Sequence, residues 1–266
     1  MDHYRTLVDL RRLTRTLRFL LLTGALAFVL MYLVVALSRL FYPFDLEFME
    51  GGLLHQVRRV VSGEGLYVPP SLGYTAFPYP PLYFYAAAAV ATLTRLGFAP
   101  LRIISFAASL GSLVLIYRFV RRETESAFCG ILSASLFAAT FRIGGASFDL
   151  ARVDSLFLFL LLAGVYVLRK SSSRPSACAA GLLMGLSFLT KQTALVVGLS
   201  LGLQSLLPGK RRGRVLFTLV FFGVIGASTF LMNALSSGWY SFYCFQQFRH
   251  HDLVRDQILG FWTADV

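Results

Sequence analysis

P-P-L-Y-F-Y-A-A-A-A-V-A-T-L, from Pro80 to Leu93, is the stretch on which the threading of the whole chain turns. It is apolar enough to enter a bilayer. It is also short for a crossing, which takes about 20 residues, and it opens on Pro80-Pro81. Read as a transmembrane segment, it places Arg118, Arg121 and Arg122 outside and inverts every later loop. Read as a re-entrant or surface helix, it leaves a consistent set of crossings at roughly 19–38, 101–119, 127–145, 155–168, 177–190, 194–207 and 215–235. The first is an unbroken apolar run from Phe19 to Ser38 behind Arg5, Arg11, Arg12, Arg15 and Arg18. A signal-peptide core is about 7–15 residues, so this run reads as an uncleaved anchor with its amino terminus in the cytoplasm. Arg39 is expected to snorkel at the far interface.

Charge distinguishes the two threadings, because cytoplasmic loops carry an excess of Lys and Arg. With seven crossings, 15 of the 25 Lys and Arg and four of the 13 acids fall on the cytoplasmic side, which makes that side +11 and the other +1. The overall charge of +12 then needs no nucleic acid, since basic loops face anionic headgroups. Composition agrees. The chain is 56% hydrophobic and 14% charged, with a mean hydropathy of +0.67, whereas a soluble domain is about 25% charged and about 45–50% apolar. The expected fold is an all-α, polytopic membrane helix bundle of about seven transmembrane helices, with juxtamembrane helices in a long first outer loop, residues 41–100. It is one module over residues 1–266. Its polar-aromatic outer tail, residues 236–266, stops abruptly, as in a fragment, a split protein or a truncated relative. Cys129, Cys178 and Cys244 fit neither a disulfide framework nor a cysteine metal site.

The first outer loop opens with F-D-L-E-F-M-E-G, Phe44 to Gly51, in which Asp45, Glu47 and Glu50 gather without paired bases. Glu50 begins an amphipathic run with Leu53, Leu54, Val57, Val60 and Val61 on one face, so it is expected near the amino end of a surface helix, where the helix dipole favours its charge. By topology the same side of the membrane collects Arg58, Arg59, Asp149, Arg152, Asp154, Lys191 and His250. Lys191 falls at a break between two short apolar runs, in L-T-K-Q-T, and must reach the interface or a wet cavity. Carboxylates beside cations at an apolar boundary suit a phosphorylated lipid substrate: Arg and Lys hold the phosphate and a carboxylate deprotonates an acceptor hydroxyl. Each of these charges can also serve simply to solvate a loop, and Asp45, Glu50 or Asp154 can cap a helix. No Gly-rich phosphate loop or serine nucleophile elbow is present, and His250-His251 lacks the spacing of a zinc site.

The order E-G-G-L-L-H-Q-V-R-R-V-V-S-G-E-G-L-Y (Glu50 to Tyr67), Y-P-P-L-Y-F-Y (Tyr79 to Tyr85), F-D-L-A-R-V-D-S-L (Phe148 to Leu156) and L-T-K-Q-T (Leu189 to Thr193) resembles the membrane glycosyltransferases of the C superfamily. The likeness is to the branch of protein O-mannosyltransferases and lipid A aminoarabinose transferases, over about Phe19 to Tyr243. The resemblance implies seven conserved spans and two juxtamembrane helices in the first outer loop. It also implies a polyprenyl-phosphate sugar donor, an inverting transfer on the extracytoplasmic face of the cell (inner) membrane, and a catalytic carboxylate in that loop. Members often carry an adjacent Asp-Glu pair before the glycine, where this chain has Met49-Glu50. Glu50 is therefore the first candidate base, with Asp45 and Glu47 as the acids that could replace the lost Asp. Asp154 matches a second acidic position near the active site. Tyr79 stands where members carry a basic residue before Pro-Pro-Leu, which passes the phosphate to Lys191 or Arg152. Arg58, Arg59, Tyr79, Tyr83, Asp149 and His250 complete the expected substrate-binding set. The acceptor is a lipid, a glycan or a protein. No cofactor is required, and the sequence gives no support to a divalent metal. The competing readings are a lipid-linked-sugar transporter or flippase, against which the charges at span ends and the lack of a repeat argue, and an inactive truncated or partner subunit.

Overall fold

The computed structural model describes residues 2–74, 77–171, 173–204, 211–247 and 260. Among them the chain is all helical: α1 (Asp2–Arg39), α2 (Phe48–Val61), α3 (Leu82–Leu93), α4 (Phe98–Thr124), α5 (Ala127–Ala139), α6 (Asp154–Lys170), α7 (Arg174–Phe188), α8 (Ala194–Leu203), α9 (Arg211–Ser236) and the short α10 (Trp239–Ser241), which runs into a π-helical turn at Phe242–Gln246. Three helices are long and apolar enough to cross a membrane, over Leu10–Arg39, Phe98–Thr124 and Gly213–Ser236. At 1.5 Å per residue the last of these extends about 36 Å, whereas α8 extends only about 15 Å.

Seven of the helices alternate in direction. At one end, Arg122 from the last turns of α4 donates to Lys170 O at the end of α6 (3.2 Å), and Arg169 pairs with Glu123 (2.9 Å). Arg18 of α1 lies over the Phe128 ring of α5 at the same end, where Arg214 of α9 donates to Gln204 O after α8. At the opposite end sit the carboxyl terminus of α1, the amino termini of α4 and α6, and the break between α7 and α8. The helix stops follow local chemistry. Ser126 and Ser173 cap α5 and α7 by accepting from Cys129 N and Ser176 N, and Glu125 adopts a left-handed conformation to turn α4 into α5.

The stretch from Pro80 to Leu93 forms a short helix, α3, of 12 residues from Leu82 to Leu93. α3 starts beside the α7–α8 break, where Leu82 N donates to Leu189 O (2.9 Å), and returns directly to the first turn of α4. Its Tyr83, Phe84, Ala87, Ala88 and Ala91 are buried in a layer with Leu53 and Val57 of α2 and with Tyr240, Tyr243 and Cys244 near the chain's end. The amphipathic run after Glu50 is α2, as its periodicity indicated, and Phe77 packs so closely on Gly52 that a Cβ there would overlap its ring.

Two expectations are corrected. The apolar run at 127–145 is helical only to Ala139, after which turns carry the chain to Ala146; Gly144-Gly145 and the positive φ at Gly145 and Ala146 break the helix. Arg39 does not snorkel outward. Its guanidinium turns in to Asp149 Oδ1 (2.8 Å) and Ala146 O (3.1 Å) and lies over the Phe141 ring.

Beneath the α2–α3 layer the bundle divides into two apolar cores. Tyr32 and Ala36 of α1 meet Leu113 of α4 and Ala134 and Ala138 of α5. Met184 and Phe188 of α7 meet Phe217 and Phe221 of α9. α7 and α9 touch through Gly181 and Gly185, where a Cβ would stand 2.7 Å from Phe217 O and 2.6 Å from Val224 Cγ1. Close backbone approach at small residues four apart is how membrane helices gain packing energy, since lipid offers no hydrophobic drive between them.

Candidate active site

The loop acids separate into a buried one and two accessible ones. Glu50, in the first turn of α2, is fully buried against Arg102 of α4, itself fully buried. The two form a fork: Arg102 Nε to Glu50 Oε1 at 3.0 Å and Nη2 to Oε2 at 2.7 Å. Glu50 also accepts from Ala151 N (2.7 Å) and Leu46 N (2.7 Å), which fills two acceptor sites on each oxygen. Arg102 gives its remaining donors to Arg39 O (3.0 Å), Tyr42 O (2.6 Å) and Phe44 O (2.7 Å), so all five N–H groups of its guanidinium are used. Burial would push the Glu50 carboxyl up; the bonds from Arg102, Ala151 and Leu46 and the Arg102 charge outweigh it and hold the group below the usual glutamate range. Arg102 was not among the residues singled out from the sequence, where it lies inside an apolar run.

A second set of charges lies beside this pair and is partly open. Arg152 Nη1 stands 3.4 Å from Glu47 Oε1 and its Nε 3.0 Å from Asp154 Oδ2; Lys191 Nζ donates to Asp154 Oδ1 at 2.6 Å. The row Glu47–Arg152–Asp154–Lys191 draws on the first outer loop, the α5–α6 loop, α6 and the α7–α8 break, and each member keeps roughly a fifth to a third of its side chain exposed. Asp154 makes no capping bond at α6; its carboxylate is given wholly to the two cations. Glu47 caps α2 through Met49 N (3.1 Å). Tyr79 lies within the electrostatic reach of Lys191, Asp154, Arg152 and Glu47, with its phenol pushed up chiefly by burial. Asp45 is exposed and, among the described residues, has no side-chain hydrogen bond or ion pair.

The other expected binding residues are employed elsewhere. Arg59 braces the turn after α2, donating to Gly65 O (2.9 and 3.0 Å) and pairing with Glu64, while Arg58 is exposed on the same helix. Tyr83 is fully buried, its hydroxyl donating to Leu101 O and lying 3.0 Å from Ser105 Oγ, so it ties α3 to α4. Asp149 is buried against Arg39; burial pushes its carboxyl up and Arg39 only partly offsets this. His250 lies outside the described residues. Among the described residues no three His, Cys, Asp or Glu side chains gather to hold a metal.

A helical bundle with multiple apolar helices, a loop layer on one end and a row of paired charges under that layer is the architecture of a multi-pass membrane protein with a charged site at one end. A family model described as dolichyl-phosphate-mannose-protein mannosyltransferase matches residues 79–236, more than half of the 266 residues, and the chain belongs to that family of membrane glycosyltransferases, which use a polyprenyl-phosphate sugar donor. No curated protein and no solved structure matches the chain significantly.

Proposed function

We propose that the chain transfers a sugar, with inversion, from a polyprenyl-phosphate donor to a hydroxyl acceptor on the extracytoplasmic face of the cell (inner) membrane, with Asp45 as the base. The observation that carries the assignment is the clamp on either side of Asp45. Phe44 O is bound by Arg102 and Leu46 N by Glu50, so the buried fork holds an acid whose carboxylate has, among the described residues, both oxygens unpartnered. A general base needs an open lone pair within reach of the acceptor proton. Glu50 has none left, and Glu47 divides its oxygens between Met49 N and Arg152. Glu50 is thus a positioning residue, not the base.

Lys191 and Arg152 receive the donor phosphate. They are held ready by Asp154, and preorganised cations stabilise the charge that develops on the leaving group. As Asp45 takes the acceptor proton, the acceptor oxygen forms its bond to the anomeric carbon. The bond from that carbon to the phosphate oxygen breaks on the opposite face, and its electron pair leaves with the polyprenyl phosphate. The two cations supply the charge this departure requires. Alternation of the seven helices, with Lys and Arg concentrated at the end away from the α2–α3 layer, supports seven crossings and an outward-facing site. The decisive experiment compares Asp45→Asn with Glu47→Gln in purified protein. Asp45→Asn is expected to retain its melting temperature and donor binding while transfer drops about 100- to 10,000-fold, the usual contribution of a general base. Transfer near the wild-type rate in Asp45→Asn, with loss in Glu47→Gln, moves the base to Glu47.

A further inference from the structure

At the end of the bundle away from the α2–α3 layer, a cleft of about 180 Å³ opens between the last turn of α6 and the first turn of α9. Arg169 and Arg214 stand on its lining with Gln204 and Ser171, and among the described residues no Asp or Glu does. Arg214 gives one bond, from Nη1 to Gln204 O (3.1 Å), and has no ion pair among the described residues. Arg169 pairs with Glu123 through Nε and Nη2 (3.1 and 2.9 Å), which leaves its Nη1 uncommitted among the described residues. Deeper in the bundle the lining turns apolar, with Phe119 of α4, Val165 and Leu168 of α6 and Leu201 of α8. Phe119 and Val165 also line a second cavity, of about 170 Å³, between α4 and α6. The rest of its wall is Leu115, Ile116, Val120 and Leu162. Leu162 precedes Arg169 by seven residues, about 10 Å along α6. The two cavities therefore form one path, cationic at its mouth and lined by hydrocarbon below.

We propose that this path holds an anionic phospholipid of the leaflet at that end, its phosphate on Arg214 and Arg169 and one acyl chain between α4 and α6. Arginine donates to phosphate oxygens in a planar fork, and basic pockets between membrane helices suit anionic headgroups. A free phosphate would leave the apolar half of the path unfilled. A zwitterionic headgroup brings a cation of its own, and that cation finds no carboxylate on the lining; Glu123, the nearest, is already given to Arg169. The site stands apart from the Glu47–Arg152–Asp154–Lys191 row at the opposite end of the bundle, so it does not depend on the reaction proposed there. A lipid seated in it would join α6 to α9 through its headgroup and fill the seam between α4 and α6 with its chain.

The probe is dioleoyl phosphatidylglycerol, titrated into the purified full chain in a neutral detergent, with dioleoyl phosphatidylcholine, polyprenyl phosphate and inorganic phosphate in parallel. Phosphatidylglycerol is expected to bind at least about tenfold more tightly than phosphatidylcholine, since each cation near a membrane surface contributes about fivefold. Neither inorganic phosphate nor polyprenyl phosphate should displace it. Arg214→Gln should weaken phosphatidylglycerol about fivefold and leave phosphatidylcholine unchanged. Leu162→Trp, which fills the apolar half, should weaken phosphatidylglycerol by a similar factor. Arg214 is half-buried, and its variant carries the test if Leu162→Trp does not fold. Arg15→Gln removes an exposed arginine of α1 at the same end and should change nothing. Equal affinity for the two phospholipids overturns the proposal, as does full retention of phosphatidylglycerol by Arg214→Gln or by folded Leu162→Trp. An equal loss in Arg15→Gln and Arg214→Gln means diffuse attraction and no site. Displacement by inorganic phosphate or by polyprenyl phosphate overturns the choice of occupant.

Discussion

The guanidinium of Arg102 and the carboxylate of Glu50 meet in a two-bond fork, both side chains fully buried. Between them they also hold the backbone of residues 39, 42, 44, 46 and 151. An ion pair of this kind is weak evidence for stability as such, because desolvation offsets much of the attraction. Breaking one half is another matter: Arg102→Ala or Glu50→Gln leaves an uncompensated buried group and should cost about 3–5 kcal/mol. Arg102→Lys should not rescue, because an ammonium cannot reproduce the fork. Thermal unfolding in detergent measures this, and a shift no larger than that of a surface substitution would show the pair to be dispensable.

The same pair sets an acid limit. Glu50 is held below its unfolded value, near 4.3 for a free glutamate, so its contribution is fully present above that pH and is lost as the pH falls through the lower native value. The stability gap between the wild type and Glu50→Gln should therefore be widest above about pH 5 and narrow on further acidification. A gap that is independent of pH from 7 down to 3 would mean that folding does not shift the Glu50 carboxyl from its unfolded value.

Lys191 and Arg152 should act on the phosphate. Lys191→Met and Arg152→Met each remove charge-assisted hydrogen bonds worth about 1.5–3 kcal/mol, so donor affinity should fall by roughly 10- to 100-fold with acceptor affinity unchanged. Competition binding with polyprenyl phosphate reads the effect. Unaltered donor affinity in both variants places the phosphate elsewhere.

Packing of α7 on α9 should tolerate nothing larger than glycine at residue 181, where a Cβ would press on the Phe217 carbonyl. Gly181→Ala is expected to destabilise by about 1–3 kcal/mol, the usual cost of overpacking. Gly223, which has open space around it, should accept alanine without loss. Equal melting temperatures for the two variants would argue against the α7–α9 contact.

Threading is open to direct labelling. Ala89 of α3 and Arg122 of α4 are both exposed and lie at opposite ends of the bundle. A cysteine at residue 89 should react with an impermeant maleimide from outside intact cells, and one at residue 122 only after the membrane is opened. Reaction of both from the same side would remove the outward-facing site.

Much of this arrangement was legible in the sequence, and the part that was not has a definite cause. The short Pro80–Leu93 run reads as a separate short helix because of Pro80-Pro81 and its length, and α3 is a 12-residue helix over Leu82–Leu93. Asp154 and Lys191 could each be placed at a span end, and they meet at 2.6 Å. What spacing did not reveal was which of three acids within six positions turns inward. Helix phase held the clue: Glu50 precedes Leu53, Leu54 and Val57 by three, four and seven residues, so it shares their buried face. Arg102 offered the complementary clue, because an arginine in an apolar run requires an anionic partner. The end of α5 at Ala139 was hidden by hydropathy, which does not register that Gly144-Gly145 and a left-handed Ala146 cannot continue a helix.

Gln192, at the α7–α8 break, donates from one amide nitrogen to Pro78 O (2.6 Å) and Cys244 O (2.8 Å), and Tyr243 donates to Val68 O (2.9 Å). These bonds join portions of the chain that leave the ribosome far apart in time. The first outer loop emerges early and cannot find Gln192 or residues 243–244 until the helices between them have been translated. Chains fold from the amino terminus as they are made, so the roof over the charged row is completed later than the buried fork beneath it. A nascent chain stalled after α7 would carry Glu50 and Arg102 already in register while the roof remained unlatched, and the roof would close only once residues 243–244 had been made.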